Sequence, residues 1–421
     1  MSLRGILSSL KDAVVVQEEV ALEYEVTRKL LENPERPVRF NSLAGQKAVG
    51  NLFSTRERMS AALGVEREEL PAKLLQAITH PSSSVEIKNP EFFDDVKEKF
   101  DLTTLPIPKF YPRDGGRYVT SAVAVSQFEG KRNVSFHRLM LLDSHRFAIR
   151  LVPRHLYTMY RSSIAKGKDL PVAFCVGVEA AVLLAAATST DYSQDELEIA
   201  SSIMQQCAGQ PLEVARTRGG LLVPAHAEYV FEGRITKATV DEGPFVDITG
   251  TYDDVRTQPV VEIDRVYARR DPVFHIVLPG GLEHYLLMGL PREPMIYRSV
   301  GQVVPHVHGV RLTEGGCCWL HGVVSITKNK EGDGMNAIMA AFTGHPSMKR
   351  VVVVDEDVDI YDDRQVEWAI ATRFQASRGL LVVNNAAGSS LDPSAKGTTS
   401  KVGIDATKPI GEKGYDIAKL P

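Results

Sequence analysis

The sequence predicts a multidomain protein of the α+β or α/β class, with an N-terminal αβ domain, a central antiparallel, barrel-like domain and a C-terminal α/β domain. Three observations predict this fold. Helical and strand-like segments alternate up to residue 105, strand-like runs separated by turn residues dominate the middle, and a helix, a strand and a helix follow near the end. A chain of 421 residues is long for one core, because domains typically hold about 100 to 200 residues. We therefore expect domains at 1–105, 106–300 and 301–421.

The N-terminal domain is predicted from the spacing of its apolar residues and from turn residues at the ends of its segments. A Pro-rich stretch at 104–116 indicates a loop where two domains meet. The expected elements are a helix at 3–11, a strand at 14–20, a helix at 25–31 that ends before Asn33-Pro34, an extended segment at 37–43 and a helix at 54–63 closed by Gly64.

The central and C-terminal domains are predicted from a change of pattern. Short apolar runs with turn residues between them are typical of antiparallel strands, and we expect an apolar αβ segment at 171–208 to interrupt them. The expected central strands are 118–128, 133–143, 146–152, 227–235, 260–269 and 272–280. The expected C-terminal elements are a helix from Glu331 into 345–349, a strand at 351–360 and a helix at 365–374.

Composition excludes several classes of function. A formal net charge of −4 shows no basic excess, so neither nucleic acid nor an anionic membrane surface is the expected partner. No apolar run reaches the roughly 18 residues of a membrane span. The cysteines form no CxxC pair, which argues against a disulfide framework or a thiolate zinc site and favours a reducing cytoplasm; they are Cys175, Cys207, Cys317 and Cys318.

The stretch DEGPFVDITGT, residues 241–251, carries two acids, Glu242 and Asp247, around a Gly243-Pro244 pair. In a regular strand, side chains five positions apart point to opposite faces, but a Gly-Pro bend interrupts that alternation. Both carboxylates can then point into one cavity, where one could form an ion pair and the other donate a proton. The alternative is a surface turn with two solvated acids.

The stretch RNVSFHR carries Asn133 and Ser135 on one face of a predicted strand. Both side chains could then reach a phosphate or a metal ion, while Arg138 points elsewhere. The alternative is an edge strand whose polar residues face solvent.

Together, these motifs resemble those of UbiD-type decarboxylases, which use prenylated FMN. The resemblance covers nearly the whole chain and is carried, in order, by the N-x-S-x-x-R strand, the EGPFVD loop, the TGTYDDVRTQPVVEI segment after it, GGCCWLH and SKVGIDAT. The resemblance implies a central split β-barrel of the flavin-reductase type. It also implies a homodimer or larger homo-oligomer formed through the C-terminal domain.

The resemblance further implies a metal and cofactor site. Asn133, His155 and Glu196 would bind Mn²⁺ or Mg²⁺, with K⁺ as a candidate monovalent ion, and a separate flavin prenyltransferase would supply the cofactor. The implied cofactor-binding residues are Asn133, Ser135, Arg138, Arg154, His155, Glu196 and Lys401. From the residues alone, His155 could be a hydrogen-bonded structural histidine, Glu196 a charge at a helix N-terminus, and Lys401 a solvated lysine of the tail.

The implied chemistry is non-oxidative decarboxylation. Cleaving a carboxylate from an sp² carbon requires an electron sink, which a prenylated flavin provides. By the resemblance, Arg138 would hold the substrate carboxylate and pair with Glu242, and Asp247 would donate the proton that replaces CO₂. Some family members have Glu at this last position, so the acid here is one methylene shorter.

Resemblance to the archaeal branch of the family implies trans-anhydromevalonate 5-phosphate as the substrate and isopentenyl phosphate as the product, in a mevalonate pathway. Its phosphate would need a cationic subsite, for which His137, Arg154 and His284 are the candidates. An aromatic acid decarboxylase of the hydroxybenzoate type is the alternative. A flavin-binding subunit without activity is disfavoured, because Arg138 and both acids of the loop are present.

Overall fold

The computed structural model describes residues 2–395 and 397–415. It has a mixed α/β multidomain fold, as the sequence predicts, and it divides into two compact units, Met1–Leu287 and Met288–Pro421. The end of the predicted C-terminal domain, 416–421, lies outside the described residues.

Helices and strands are numbered in chain order. The helices are α1 (Leu3–Ser9), α2 (Glu25–Leu31), α3 (Arg56–Leu63), α4 (Leu70–Thr79), α5 (His155–Ala165), α6 (Ala180–Ala187), α7 (Glu196–Ala208), α8 (Leu282–Gly289), α9 (Glu293–Gly301), α10 (Asp333–Gly344), α11 (Asp363–Arg373) and α12 (Ala376–Gly379). The strands as far as β12 are β1 (Val14–Val20), β2 (Val38–Leu43), β3 (Gln46–Gly50), β4 (Val85–Glu86), β5 (Asp95–Lys97), β6 (Tyr118–Val119), β7 (Val123–Phe128), β8 (Lys131–Phe136), β9 (Leu139–Leu141), β10 (Arg146–Ile149), β11 (Leu170–Val176) and β12 (Glu213–Arg216). The others are β13 (Leu222–Pro224), β14 (Tyr229–Glu242), β15 (Phe245–Val246), β16 (Tyr252–Asp253), β17 (Arg256–Ala268), β18 (Val273–Ile276), β19 (His306–Leu312), β20 (His321–Thr327), β21 (Arg350–Asp355), β22 (Leu380–Ala386) and β23 (Thr399–Asp405).

The N-terminal sheet has the strand order β1-β2-β3-β18. Its first helices and strands match the predicted segments, and Gly64, at φ +78°, ends α3 in the left-handed conformation that glycine adopts readily. Strand β18 was expected among the central strands, but it pairs in parallel with β3, with Val273 opposite Lys47. An apolar run indicates a strand without indicating its partner, so this placement needed the tertiary structure.

The central sheet is antiparallel, as predicted, in the order β6-β9-β10-β17-β14-β11-β7-β8, with β5 added on β17. No pairing between β6 and β8 closes it into a barrel within the described residues. Strand β11 belongs to the segment expected as an insertion, yet it lies within the sheet between β14 and β7. Its fully buried Phe174 packs in the same apolar core as Phe147 and Phe231.

The second unit contains a sheet in the order β19-β20-β21-β23-β22. Strands β20, β21 and β23 run parallel, and the two outer pairs are antiparallel. The predicted helix, strand and helix appear as α10, β21 and α11. Helix α10 ends at Gly344, before His345-Pro346, because the residue before a proline disfavours helical backbone. None of the helices in the described part of the chain has the length and apolar character needed to cross a membrane.

Candidate active site

The acidic bend is built from the end of a long strand and a short hairpin. Glu242 is the last residue of β14, and Gly243 then turns the chain at φ +98°, a backbone conformation that favours glycine. After Pro244, β15 pairs with β16, which places Phe245 opposite Asp253. Asp247 follows β15 in the hairpin turn, where its backbone N–H donates to Thr251 (3.0 Å). The regular alternation is therefore broken between the two acids, as the sequence suggested.

Arg138, in the loop between β8 and β9, joins both acids of the bend. Its Nε and Nη2 donate to Oε1 and Oε2 of Glu242 at 2.9 and 3.0 Å, and its Nη1 lies 3.5 Å from Asp247 Oδ2. Glu242 is 0% exposed and Asp247 is 21% exposed. The alternative of a turn with two solvated acids is thus excluded, and the structure brings Arg138, Glu242 and Asp247 together.

Aromatic side chains support this ion-pair cluster. The Tyr118 hydroxyl donates to Glu242 Oε1 at 3.1 Å, and the Arg138 guanidinium lies over the Phe245 ring at 4.7 Å. Burial, followed by the negative charge of Glu242, raises the pKa of Tyr118, so the phenol stays a hydrogen-bond donor. Each polar atom of Glu242 therefore has a partner, which holds Arg138 in one orientation.

The loop that holds the bend carries functional residues that were not predicted from the sequence. The backbone N–H of Gly115 donates to Pro244 O at 2.8 Å, and a Cβ atom on Gly115 would lie 2.3 Å from Gly243 O. The buried Asp114 accepts from the backbone N–H of Tyr111 at 2.9 Å. Burial raises the pKa of Asp114 to about 6. The only sequence signal was the Gly115-Gly116 pair, which we interpreted as part of a domain-joining loop.

Two further arginines approach the cluster through Asp253. Asp253 Oδ2 accepts from Arg138 Nη2 at 3.2 Å and lies 3.8 Å from Arg150 Nε, while its Oδ1 accepts from Arg256 Nη2 at 2.9 Å. Strand pairing brings Arg256 here, since it lies opposite Glu242 in the β14–β17 ladder. Nothing in the sequence distinguished Asp253 from the Asp254 beside it.

The predicted metal ligands lie around strand β8 and the first turn of α7. Buried Glu196 accepts from Asn133 Nδ2 at 3.1 Å and from the backbone N–H of Val134 at 2.9 Å, and its Oε1 lies 4.0 Å from His155 Nδ1. Burial raises the pKa of Glu196 to about 7. Ser135 shares the face of Asn133, as expected, with its Oγ 2.9 Å from Asn133 Oδ1.

This donor set fits a hard divalent cation. Two ligands of one ion, each about 2.0 to 2.2 Å from it, are separated by at most about 4.4 Å, so the 4.0 Å between Glu196 and His155 is compatible with a shared ion. Within the described residues no group of three or more His, Cys, Asp or Glu side chains could hold a metal. The set formed by Asn133, His155 and Glu196 has only two side chains of these types, because its third metal-binding group is the amide of Asn133.

The hydrogen bonds around Ser135 support the same conclusion. His137 donates through Nδ1 to Arg150 O at 3.0 Å, so its Nε2, 3.0 Å from Ser135 Oγ, must accept. Both this nitrogen and Asn133 Oδ1 then require the single hydroxyl proton of Ser135. Reversing the Asn133 amide resolves the conflict, because Nδ2 donates to Ser135 and Oδ1 turns towards Glu196. The two oxygens that then face each other would be joined either by a bound cation or by a proton on Glu196, whose pKa is raised to about 7.

The remaining predicted residues are placed as follows. Arg154 is exposed and donates to Ser189 Oγ at 2.8 Å. His284 accepts at Nδ1 from the backbone N–H of Gly280 at 3.1 Å, and burial lowers its pKa, with Asp247 and Arg138 close enough to act on it electrostatically. Lys401 lies in the second unit.

The buried ammonium of Lys401 donates to the carbonyl oxygens of Pro346 and Met348. Burial lowers its pKa. Its contact with a cofactor phosphate stays a prediction, as do the roles of the other residues above.

Comparison with known proteins identifies the family. Models of the 3-octaprenyl-4-hydroxybenzoate carboxy-lyase N-terminal, Rift-related and C-terminal domains match residues 5–78, 84–282 and 285–406. The anhydromevalonate phosphate decarboxylase of Methanosarcina mazei is 45% identical over 430 residues, covering 100% of both chains.

Two similar solved structures come from Pelotomaculum thermopropionicum. The UbiD-class enzyme HmfF in complex with FMN has a TM-score of 0.95 and 37% identity, covering 100% of this chain and 97% of that one. An evolved dimeric form of HmfF in complex with prFMN has a TM-score of 0.92 and 35% identity, covering 99% and 97%. With these matches along its whole length, the chain belongs to the UbiD family of carboxy-lyases.

Proposed function

We propose that this protein is a prenylated-FMN-dependent decarboxylase that converts trans-anhydromevalonate 5-phosphate to isopentenyl phosphate and CO₂, as a step of a mevalonate pathway. The convergence of Arg138 on Glu242 and Asp247 carries the proposal. The end-to-end match to an anhydromevalonate phosphate decarboxylase supports the choice of substrate. In the reaction, the bond between the unsaturated carbon and its carboxylate breaks, CO₂ leaves and a proton takes its place.

Arg138 is suited to bind the substrate carboxylate, because its planar guanidinium stays charged and presents paired donors. Glu242 occupies Nε and one terminal nitrogen, which fixes the plane of the fork. Among the hydrogen bonds that the Arg138 guanidinium donates, the longest is the one from Nη1 to Asp247 Oδ2, at 3.5 Å. A substrate carboxylate can therefore approach at Nη1, beside the acid that would protonate the product.

Asp247 would deliver the proton from Oδ2, the oxygen that lies beside Arg138. Its other oxygen, Oδ1, accepts from the backbone N–H of Ile248 at 2.6 Å, which orients the carboxyl group. A partly exposed position allows the proton to be replaced from water after each turnover. Prenylated FMN, when bound, supplies the electron sink that departure of CO₂ from an sp² carbon requires.

Asn133, His155 and Glu196 would hold Mn²⁺ or Mg²⁺, which prefer oxygen donors such as the amide and carboxylate of this set, with K⁺ as the candidate monovalent ion. Ser135, Arg154 and Lys401 would bind the cofactor phosphate. The antiparallel central sheet would form the split barrel, within domains at 1–105, 106–300 and 301–421. A flavin prenyltransferase would supply the cofactor, and the C-terminal domain would form the homo-oligomer.

The test uses protein produced with and without a flavin prenyltransferase. Protein loaded with prenylated FMN should release CO₂ and isopentenyl phosphate from trans-anhydromevalonate 5-phosphate, and protein produced without it should not. Hydroxybenzoates offered in parallel test the aromatic alternative. Turnover of hydroxybenzoates alone would reverse the choice of substrate, and turnover of neither acid would leave the flavin-binding subunit as the better interpretation.

A further inference from the structure

Arg150 is placed beside the catalytic arginine by its backbone. It follows strand β10, where its N–H donates to Arg138 O at 3.4 Å and its carbonyl accepts from His137 Nδ1 at 3.0 Å. The next N–H, of Leu151, donates to Gln258 Oε1 at 2.8 Å. These contacts on both sides fix the point from which the Arg150 side chain extends.

The guanidinium of Arg150 lacks a hydrogen-bond acceptor. Its side chain is only 16% exposed, and the one acid that pairs with it is Asp253, at 3.8 Å, while Glu242 acts on it electrostatically from farther away. Among the residues that the structure describes, no atom accepts a hydrogen bond from it. None of its nitrogens is both fully buried and without a partner, so water reaches these donors in this state, and an anionic acceptor would replace that water with charge-assisted hydrogen bonds.

The charges around Asp253 favour an anion. This single carboxylate faces the guanidiniums of Arg138, Arg150 and Arg256, while Glu242 is taken up by Arg138 and Tyr118. Burial and the nearby Arg256 lower the pKa of Arg150. Positive charge is therefore in excess on the side of the cluster formed by Arg150 and Arg256.

We propose that Arg150 and Arg256, oriented by Asp253, bind the phosphate of the substrate while Arg138 binds its carboxylate. This inference rests on the proposed function. A phosphate monoester is nearly a dianion at neutral pH and has three accepting oxygens, which match two arginine forks better than a second carboxylate would. Asp253 is then a positioning residue that spaces the two guanidiniums.

The candidates predicted from the sequence fit the phosphate less well. His137 uses both ring nitrogens within the protein. His284 accepts at Nδ1 from Gly280, and burial favours its neutral form. Arg154 donates to Ser189, on the loop before the predicted metal ligand Glu196. None of the three offers a free cationic fork beside Arg138, whereas Arg150 does.

The test compares Arg150→Gln and Arg256→Gln with wild type, each loaded with prenylated FMN. Losing one charge-assisted contact should raise KM for the phosphorylated acid, and weaken binding of isopentenyl phosphate measured by calorimetry, by about 10- to 100-fold. The change in kcat should be less than about fivefold, because the variants leave Arg138 and Asp247 in place. Arg146→Gln, an exposed arginine on β10 that pairs with Asp143, is the matched control and should change none of these values.

The phosphate of the cofactor is the other source of the same chemistry, and flavin content distinguishes the two. Normal flavin content with weaker isopentenyl phosphate binding supports a substrate subsite. Lower flavin content, or unchanged KM and unchanged isopentenyl phosphate binding, overturns it.

If Arg150→Gln fails to fold, the same measurements on Arg256→Gln, which changes a more exposed side chain, decide whether the subsite exists. If wild type turns over no phosphorylated acid, the proposed function fails, and binding of isopentenyl phosphate to wild type and variants still decides whether the subsite exists.

Discussion

Strand β8 and the loop after it carry two polar clusters that differ in the origin of their positive charge. In the loop, Arg138 supplies the cation, and Glu242, Asp247 and Asp253 surround it. On the strand, Asn133 contacts Glu196, which has no lysine or arginine partner among the described residues.

From this difference we expect the arginine cluster to control the reaction rate and the Glu196 cluster to control metal and flavin binding. The chain by itself organises the arginine cluster, so substitutions there should lower the rate while cofactor loading is retained. The Glu196 cluster offers donors suited to an external cation, so substitutions there should lower metal and flavin content first.

The largest expected effect is at Glu242. Glu242→Gln removes the charge that holds Nε and Nη2 of Arg138, and we expect kcat to fall by about 10³-fold. Rate and flavin content should be measured on the same preparation. Glu262→Gln, on β17, is a control for loss of one carboxylate, since Glu262 is partly exposed and pairs with Arg234. Loss of flavin with an unchanged rate per bound flavin would reverse the assignment of this cluster.

The next largest effect is at Asp247. Asp247→Asn removes the proposed proton donor and should lower kcat by about 10² to 10³-fold, with flavin content unchanged. Asp247→Glu keeps the acid and should retain much of the activity. Deuterium incorporation from solvent into the product measures the proton transfer, and an unchanged turnover or exchange rate in Asp247→Asn would contradict the proposed role.

At the second cluster, Glu196→Gln should weaken retention of the divalent metal and flavin by about 10- to 100-fold. The rate per bound flavin should stay near that of wild type. Glu198→Gln is the matched control, since Glu198 lies in the same first turn of α7 and experiences the same helix dipole. If both variants behave alike in metal analysis, Glu196 is only a charge at a helix N-terminus.

The smallest effect on turnover is expected from Asp114→Asn, less than about tenfold, because Asp114 acts through the bend and not on the substrate. Its effect on stability should depend on pH. The pKa of Asp114 is raised from 3.8 to about 6. Between about pH 4 and pH 6, Asp114 is therefore still protonated in the folded protein but already ionised in the unfolded chain. Stabilisation from that proton is complete below about pH 4 and is lost as the pH rises to about 6.

Thermal midpoints between pH 4 and 8 test this sign. Asparagine cannot ionise, so the variant should gain stability relative to wild type as the pH rises through 4 to 6, and the difference should be constant above about 7. If the difference in thermal midpoint between Asp114→Asn and wild type does not vary with pH, then Asp114 is ionised throughout this range and burial does not raise its pKa.

Local patterns in the sequence predicted the elements whose structure depends on near neighbours. Helix α2 has the predicted bounds, Gly64 ends α3, and the Gly243-Pro244 bend brings Glu242 and Asp247 to the same arginine. These features depend on apolar periodicity and backbone conformation, which act over a few residues. Whole-chain motifs predicted the family in the same way, since they occur in order along the sequence.

Only the tertiary structure decided which distant segments meet. Strand β18 joins the N-terminal sheet and β11 lies inside the central one, although both have the same apolar pattern as their neighbours in sequence. Likewise, Asp253 differs from Asp254 only because strand pairing places it opposite Phe245 and beside Arg138. The sequence by itself determined the fold class, the family and the acids of the bend. The register between remote strands decided that Asp253, Arg150 and Arg256 surround them, because pairing energies depend on partners that no local pattern specifies.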